Sequence, residues 1–151
     1  MADHETFIRR CYELARQAAA KGNHPFGALL TLDERVILEA ENSVGVDDDL
    51  TAHAELNLLR AMAALHLGED RARVVLYTST EPCVMCSGGI YWAGISTVVY
   101  GCSELGLARY AGTDFLHPAS ATFRLGKRPI EVIGPILQAE GESIHAGYWG
   151  R

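Results

Sequence analysis

The spacing of apolar residues predicts a helix near the start of the chain, over residues 5–21. Its apolar side chains recur on one broad helical face, and Gly22 follows as a stop signal. Two short strands are predicted next, at residues 26–32 and 36–40, with a turn at Asp33-Glu34 between them. This pattern is typical of an antiparallel hairpin.

Helices and strands alternate after the hairpin. A second helix is predicted to be capped by Thr51 and to run to about residue 67, with Gly68 beyond its end. A buried strand is predicted at residues 74–78, and Pro82 suits the first turn of a third helix.

Further strands are predicted at residues 97–100 and 128–133, whereas residues 103–125 carry no clear pattern. The order helix, strand, strand, helix, strand, helix, strand indicates a three-layer α/β sandwich. With no linker or repeat in the chain, we expect a single domain over residues 1–151.

Composition and charge narrow the functional classes. The chain of 151 residues has a net charge of −6, and its densest basic cluster is small: Arg124, Lys127 and Arg128. Proteins that bind nucleic acid usually carry a larger basic surface, so a polynucleotide substrate is disfavoured. No apolar run is long enough for a membrane span, and the N-terminus lacks the apolar core of a secretory signal. A cytoplasmic location is expected.

Two short motifs carry the chemistry. The first is His53-Ala54-Glu55, and the second is Pro82-Cys83-Val84-Met85-Cys86. His53, Cys83 and Cys86 can hold Zn²⁺ with three protein ligands, which leaves a fourth position open for water and marks a catalytic site. Glu55 is then predicted to act as the general acid and base. His53 and Glu55 are two residues apart, so both reach one site only at the start of a helix.

Other interpretations of these motifs exist. A C-x-x-C pair that opens a helix also describes a thioredoxin-like redox site. A structural zinc site would need a fourth ligand, which Cys102 or His24 would have to supply. His53 alone would be an ordinary core histidine. The two motifs together favour the catalytic zinc site.

The segments TAHAE, residues 51–55, and TEPCVMCSGGIYWA, residues 80–93, resemble the cytidine deaminase-like superfamily, and most closely its bacterial guanine deaminases. The resemblance implies an α/β/α fold with a central five-stranded mixed sheet. It implies a zinc-dependent aminohydrolase that acts on a nucleobase, with guanine favoured. The alternatives are a tRNA wobble adenosine deaminase and a deaminase of cytosine, isocytosine or a nucleoside.

The resemblance also implies residues that bind substrate. Apart from the main chain of Ala54 and Cys83, these are Phe26, Asn42, Trp92 and Asp114. Each has a plainer explanation: a core aromatic for Phe26, a turn residue for Asn42, core or dimer packing for Trp92, and a loop or cap for Asp114.

The resemblance further implies a homodimer across the second and third helices. These helices carry more apolar residues than one face needs, among them Leu58, Leu59, Met62, Ile90 and Tyr91. The tail from residue 135 to 151 matches no motif, and His145 within it is predicted to lie on the surface.

Overall fold

Five strands form the centre of the molecule in a computed structural model that describes residues 3–112 and 115–150. The strands are β1 (Gly27–Leu32), β2 (Arg35–Glu41), β3 (Val74–Thr80), β4 (Thr97–Cys102) and β5 (Glu131–Ile133). The helices are α1 (His4–Ala20), α2 (Ala54–Ala63), α3 (Val84–Trp92), α4 (Glu104–Ala111), α5 (Ala119–Phe123) and α6 (Gln138–Tyr148), and Gly68–Arg73 forms a 3₁₀ helix.

The sheet is mixed, as expected, with the strand order β2-β1-β3-β4-β5. Strand β1 pairs antiparallel with both β2 and β3, whereas β3, β4 and β5 run parallel. The hairpin turn falls at Asp33 and Glu34, whose φ angles of 50° and 64° match the right-handed twist of the flanking strands.

Alternating side chains of the strands build two cores. Ala28, Leu76 and Val98 face helices α2, α3 and α5, while Tyr77 and Val99 face helices α1 and α6. Helices therefore cover both faces of the sheet, which confirms the three-layer α/β/α sandwich.

The start of α2 differs from the prediction. Its N-cap residue is His53, and the Thr51 hydroxyl donates a hydrogen bond of 2.7 Å to the carboxylate of Asp49. Because that hydroxyl is engaged in a local turn, Thr51 does not cap the helix. The helix also ends early, at Ala63, and the chain turns at His66, where φ is +50°.

The third helix likewise begins later than predicted. Cys83 is its N-cap residue, so Pro82 precedes the helix instead of occupying its first turn. Both motifs nevertheless stand where the chain enters a helix, as the two-residue spacing of His53 and Glu55 required.

The stretch without a clear pattern contains α4 and α5. Ser103 caps α4 by accepting a hydrogen bond of 3.0 Å from the main-chain N–H of Gly106. Asp114, which the resemblance implied as a substrate residue, lies outside the described residues.

The apolar residues that predicted a dimer surface have another location. Leu58, Leu59, Met62 and Ile90 are buried in the core between the sheet and helices α2 and α3. The argument from these four residues was wrong, because both helices pack against the sheet and against each other, whereas Tyr91 is half-buried and the dimer itself stays a prediction. In the part of the chain that the structure describes, no helix is long and apolar enough to cross a membrane.

Candidate metal centre

The side chains of His53, Cys83 and Cys86 meet at one point. The Nδ1 atom of His53 lies 3.6 Å from the Sγ atom of each cysteine, and the three donor atoms lie within 4.8 Å of one another. Zinc bound tetrahedrally at its usual distances to nitrogen and sulfur separates these donors by ~3.5 Å. The cluster therefore fits a zinc ion with three protein ligands.

Two helix starts hold the cluster. His53 and Cys83 are the N-cap residues of α2 and α3, and Cys86 lies one turn into α3. Helix N-termini present unpaired N–H groups and the positive end of the helix dipole, which favour thiolates.

The charges in the cluster follow from its hydrogen bonds. The hydrogen bond from Cys86 lowers the pKa of the Cys83 thiol, burial raises it, and the hydrogen bond with His53 lowers it again. The net result is a pKa of about 4. The same shared bond, together with burial, raises the pKa of Cys86. The Cys83 thiolate raises the pKa of His53. The hydrogen bonds of the cluster therefore favour the thiolate form of Cys83, which is the form that binds a metal.

Glu55 lies beside the cluster and is almost fully buried. Burial, and then the charge on Cys83, raise the pKa of its carboxyl to about 7. Glu55 borders the same cavity as His53 and Cys83. Its carboxyl is therefore placed to exchange protons with a molecule bound next to the metal.

A cavity of about 140 Å³ opens next to the metal position. Its walls come from five elements or the loops beside them and include four residues that the sequence did not single out as functional. The lining residues are Phe26, His53, Glu55, Thr80, Glu81, Cys83, Glu104 and Leu107. Thr80 and Glu81 belong to the quoted TEPC segment, which was the available signal for them.

Glu81 and Glu104 have different roles in this wall. Both carboxylate oxygens of Glu81 accept main-chain hydrogen bonds, from Glu104 at 3.0 Å and from Ala119 at 2.9 Å. One oxygen of Glu104 accepts from the His117 N–H at 3.2 Å, and within the described residues its other oxygen has no hydrogen-bond partner. Burial raises the pKa of Glu104 to about 7. The two bonds of Glu81 therefore tie the wall together, whereas one oxygen of Glu104 makes no hydrogen bond to the residues that the structure describes.

The C-terminal helix forms the layer behind the cavity. His145 is 1% exposed, so the prediction that it lies on the surface was wrong. Its ring contacts Phe26 with a centroid distance of 5.5 Å and lies 2.9 Å from the Thr80 hydroxyl. No short-range pattern connects residues so far apart in the chain, and only the packing of α6 brings them together.

The predicted substrate residues are distributed unevenly around the site. Phe26 lines the cavity, and the buried Ala54 begins α2 next to His53. Asn42 is buried, and its Oδ1 accepts main-chain hydrogen bonds from His24 and Val44.

Trp92 does not reach the cavity. It lies at the last turn of α3, at the opposite end from Cys83, and its side chain is 85% exposed. The prediction that Trp92 stacks on a base in its own chain was wrong, because the helix axis carries it away from the metal position.

The cluster has three ligands within the described part of the chain, and not the four that a structural zinc site needs. Among residues 3–112 and 115–150, no fourth His, Cys, Asp or Glu joins the cluster. Cys102 is engaged elsewhere, with its sulfur 3.4 Å from the Ser103 carbonyl. An open fourth position and an adjacent buried carboxyl together define a catalytic zinc site rather than a structural one.

The class defined by this fold and site is a hydrolase that activates water at a three-ligand zinc. The chain belongs to the family of cytidine and deoxycytidylate deaminases, whose zinc-binding region matches residues 1–102. Members of this family are zinc-dependent hydrolytic deaminases, and so is this chain.

Individual relatives differ in their substrates. A probable cytosine deaminase of Schizosaccharomyces pombe is 34% identical over 95% of this chain and 90% of its own length. The guanine deaminase of Bacillus subtilis is 39% identical over 74% of this chain and 72% of its own. Proteins named tRNA-specific adenosine deaminase match at 33% to 40% identity.

The fold also matches a solved guanine deaminase, from Nitrosomonas europaea. The TM-score is 0.85 at 27% identity, with 100% of this chain and 87% of that chain covered. These comparisons define the chemistry as deamination and leave the substrate undecided among guanine, cytosine and tRNA adenosine.

Proposed function

We propose that this deaminase acts on a free aminated nucleobase and that guanine, converted to xanthine and ammonia, is its favoured substrate. The supporting observation is the cavity next to the metal position. At about 140 Å³ it is well below the roughly 300–1,000 Å³ of pockets for drug-sized ligands. A cavity of this size suits one flat ring system better than a nucleoside with its sugar.

In the proposed reaction, zinc supplies a Lewis acid that makes water nucleophilic near neutral pH. Glu55 accepts a proton from the attacking water at a carboxylate oxygen and passes it to the ring nitrogen beside the attacked carbon. The carboxylate then takes the remaining proton from the hydroxyl group that has been added to the carbon and delivers it to the departing amine, so ammonia leaves and a carbonyl remains. One buried carboxyl at the cavity wall thus serves as base and then as acid.

Several groups are proposed to position the base. Phe26 offers an aromatic face, and Glu104 offers a carboxylate oxygen to an N–H edge such as that of guanine. The Oδ1 atom of Asn42 accepts main-chain hydrogen bonds, and its amide nitrogen is proposed as a donor to the ligand. Main-chain N–H groups at Ala54 and Cys83 are further candidates. Asp114 stays a prediction, as an additional acceptor for the N–H edge.

Cytosine is the second candidate. The cytosine deaminase relative aligns with 95% of this chain, whereas the guanine deaminase of Bacillus subtilis aligns with 74%. A cytosine ring is also flat and carries an amine on an amidine carbon, so the same proton transfers would deaminate it.

A tRNA substrate is disfavoured by the basic residues themselves. Arg128, one of the three residues in the densest basic cluster, donates hydrogen bonds to the carbonyls of Ile95 and Tyr91 and stacks on the Tyr91 ring. Its charge is thus engaged within the protein, which leaves Arg124 and Lys127 as a small basic surface.

An ammonia-release assay over guanine, cytosine, adenine and a tRNA anticodon stem-loop tests the proposal. We expect guanine to have the highest kcat/KM and adenine to be turned over far more slowly. The Glu55→Gln variant, assayed under the same conditions, gives the background rate of ammonia release. Efficient turnover of the anticodon stem-loop with none on guanine or cytosine would contradict a free-base substrate.

We also propose a cytoplasmic homodimer. Met85 and Trp92 leave apolar surface exposed along α3, with 37% and 85% of each residue exposed. A two-fold contact is the commonest arrangement for such a surface. Sedimentation should give a dimer at micromolar concentration, and Trp92→Ala should weaken it. A wild-type monomer under these conditions would refute the dimer.

A further inference from the structure

The C-terminal helix sets the protonation state of His145. The indole nitrogen of Trp149 can only donate a hydrogen bond, and it lies 3.0 Å from Nδ1 of His145. Nδ1 must therefore accept, which leaves the single proton of the neutral ring on Nε2. Burial lowers the pKa of His145 to about 4, so the ring is neutral at ordinary pH.

The proton on Nε2 in turn sets the orientation of the Thr80 hydroxyl. Nε2 lies 2.9 Å from Oγ1 of Thr80, so the hydroxyl oxygen accepts this hydrogen bond. Within the described residues the hydroxyl has no other partner, and Thr80 lines the cavity beside the metal position. Its own hydrogen is consequently free to donate to a molecule in the cavity.

We propose that Trp149 and His145 act as positioning residues that make Thr80 an obligate hydrogen-bond donor to the substrate. A site with such a donor favours bases that carry a carbonyl oxygen and disfavours analogues with an amino group there, since two donors would then face each other. The inference rests on the proposed function only in that the cavity holds the base. It adds a specificity determinant that lies in the C-terminal tail.

The other polar group of this wall complements the donor. Glu104 offers an acceptor oxygen to the same cavity, so the wall presents one donor and one acceptor. Guanine and cytosine each carry a carbonyl and an N–H or amino group, and the pair of wall groups suits either base.

The tautomer is tested directly by ¹⁵N NMR of the zinc-loaded protein. We expect His145 to carry its proton on Nε2 and to keep Nδ1 unprotonated. Trp149→Phe removes the indole N–H and retains a ring against Phe26. In this variant the proton of His145 should be distributed over both ring nitrogens. A wild-type ring protonated on Nδ1, or a tautomer unaffected by Trp149→Phe, would overturn the proposal whether or not guanine is the substrate.

Substrate discrimination tests the consequence for binding. Guanine and 2,6-diaminopurine differ at one exocyclic position, where a carbonyl is replaced by an amine. Thr80→Val should raise KM for guanine more than it lowers kcat, and should reduce the preference for guanine by roughly 2- to 12-fold, the range for one hydrogen bond. Thr80→Ser, which retains the hydroxyl, should preserve the preference.

The energetic coupling between Thr80 and Trp149, the first and last members of this series of hydrogen bonds, provides the final test. Trp149→Phe should lower the preference in the same direction, and Thr80→Val should add little to it in the double variant, because both act through one hydrogen bond. Additive losses, or an unchanged preference in Thr80→Val with normal zinc content, would refute the role of Thr80. Absence of turnover on both purines would instead refute guanine as the substrate and leave the NMR result to decide the inference.

Discussion

Replacing His145 with glutamine should make the stability of this protein less sensitive to acid. His145 is buried and held neutral between Thr80 and Trp149, and burial lowers its pKa from 6.5 to about 4. Because the unfolded chain then binds more protons than the folded chain between pH 6.5 and pH 4, stability falls as the pH falls through this window. Glutamine does not titrate, so the variant lacks this dependence.

The magnitude follows from the two pKa values. A change from 6.5 to about 4 corresponds to ~3 kcal/mol of unfolding free energy when the pH is below both values. At pH 5 the folded ring is still mostly neutral, and the expected loss relative to pH 8 is ~2 kcal/mol. The variant should be less stable than the wild type at pH 8, since it loses the native hydrogen bonds, and the gap should narrow by that amount at pH 5.

Urea unfolding at several pH values between 8 and 5, with equal zinc loading, measures the gap. His66→Asn is the matched control, because His66 is exposed and asparagine tolerates its positive φ. The control should follow the wild type at every pH. Parallel curves for the wild type and His145→Gln would refute the reasoning, because they would mean that His145 is not held neutral by the fold.

Three further changes test the site and the packing. Glu55→Gln should retain zinc but lower kcat by about 10²–10⁴, and near-normal turnover would remove Glu55 from the mechanism. Cys83→Ala should reduce the zinc content from about one ion per chain to almost none, as elemental analysis would show, and retained zinc would exclude Cys83 as a ligand. Gly27→Ala should destabilise the fold by about 1–3 kcal/mol in urea unfolding, because its Cβ would lie 2.6 Å from the main-chain oxygen of Cys11 in α1. Gly147→Ala, which meets open space, is its control and should be stabilising by about 0.5–1 kcal/mol, so equal effects would refute the packing argument.

Much of the site was recognisable from the sequence because its signals are local. His53 and Glu55 are two residues apart and Cys83 and Cys86 three apart, and both pairs stand where a helix begins. The strands of the hairpin and the helical face of α1 also follow from periodicities within one element. The predicted helix boundaries were wrong where a local hydrogen bond replaced the expected helix cap. At Thr51 the hydroxyl donates to Asp49 instead of capping α2.

Tertiary structure alone decided what surrounds the metal position. Trp92 belongs to a recognised segment yet does not line the cavity, because it lies nine positions after the N-cap Cys83, at the other end of α3. Thr80 and His145 are 65 residues apart in the chain, and their contact depends on how α6 packs behind the end of β3. Spacing rules describe neighbours along one helix or strand. The sequence by itself therefore determined the three residues that fit a zinc ion and the carboxyl proposed for proton transfer, whereas the cavity wall beside them is the product of packing between distant elements.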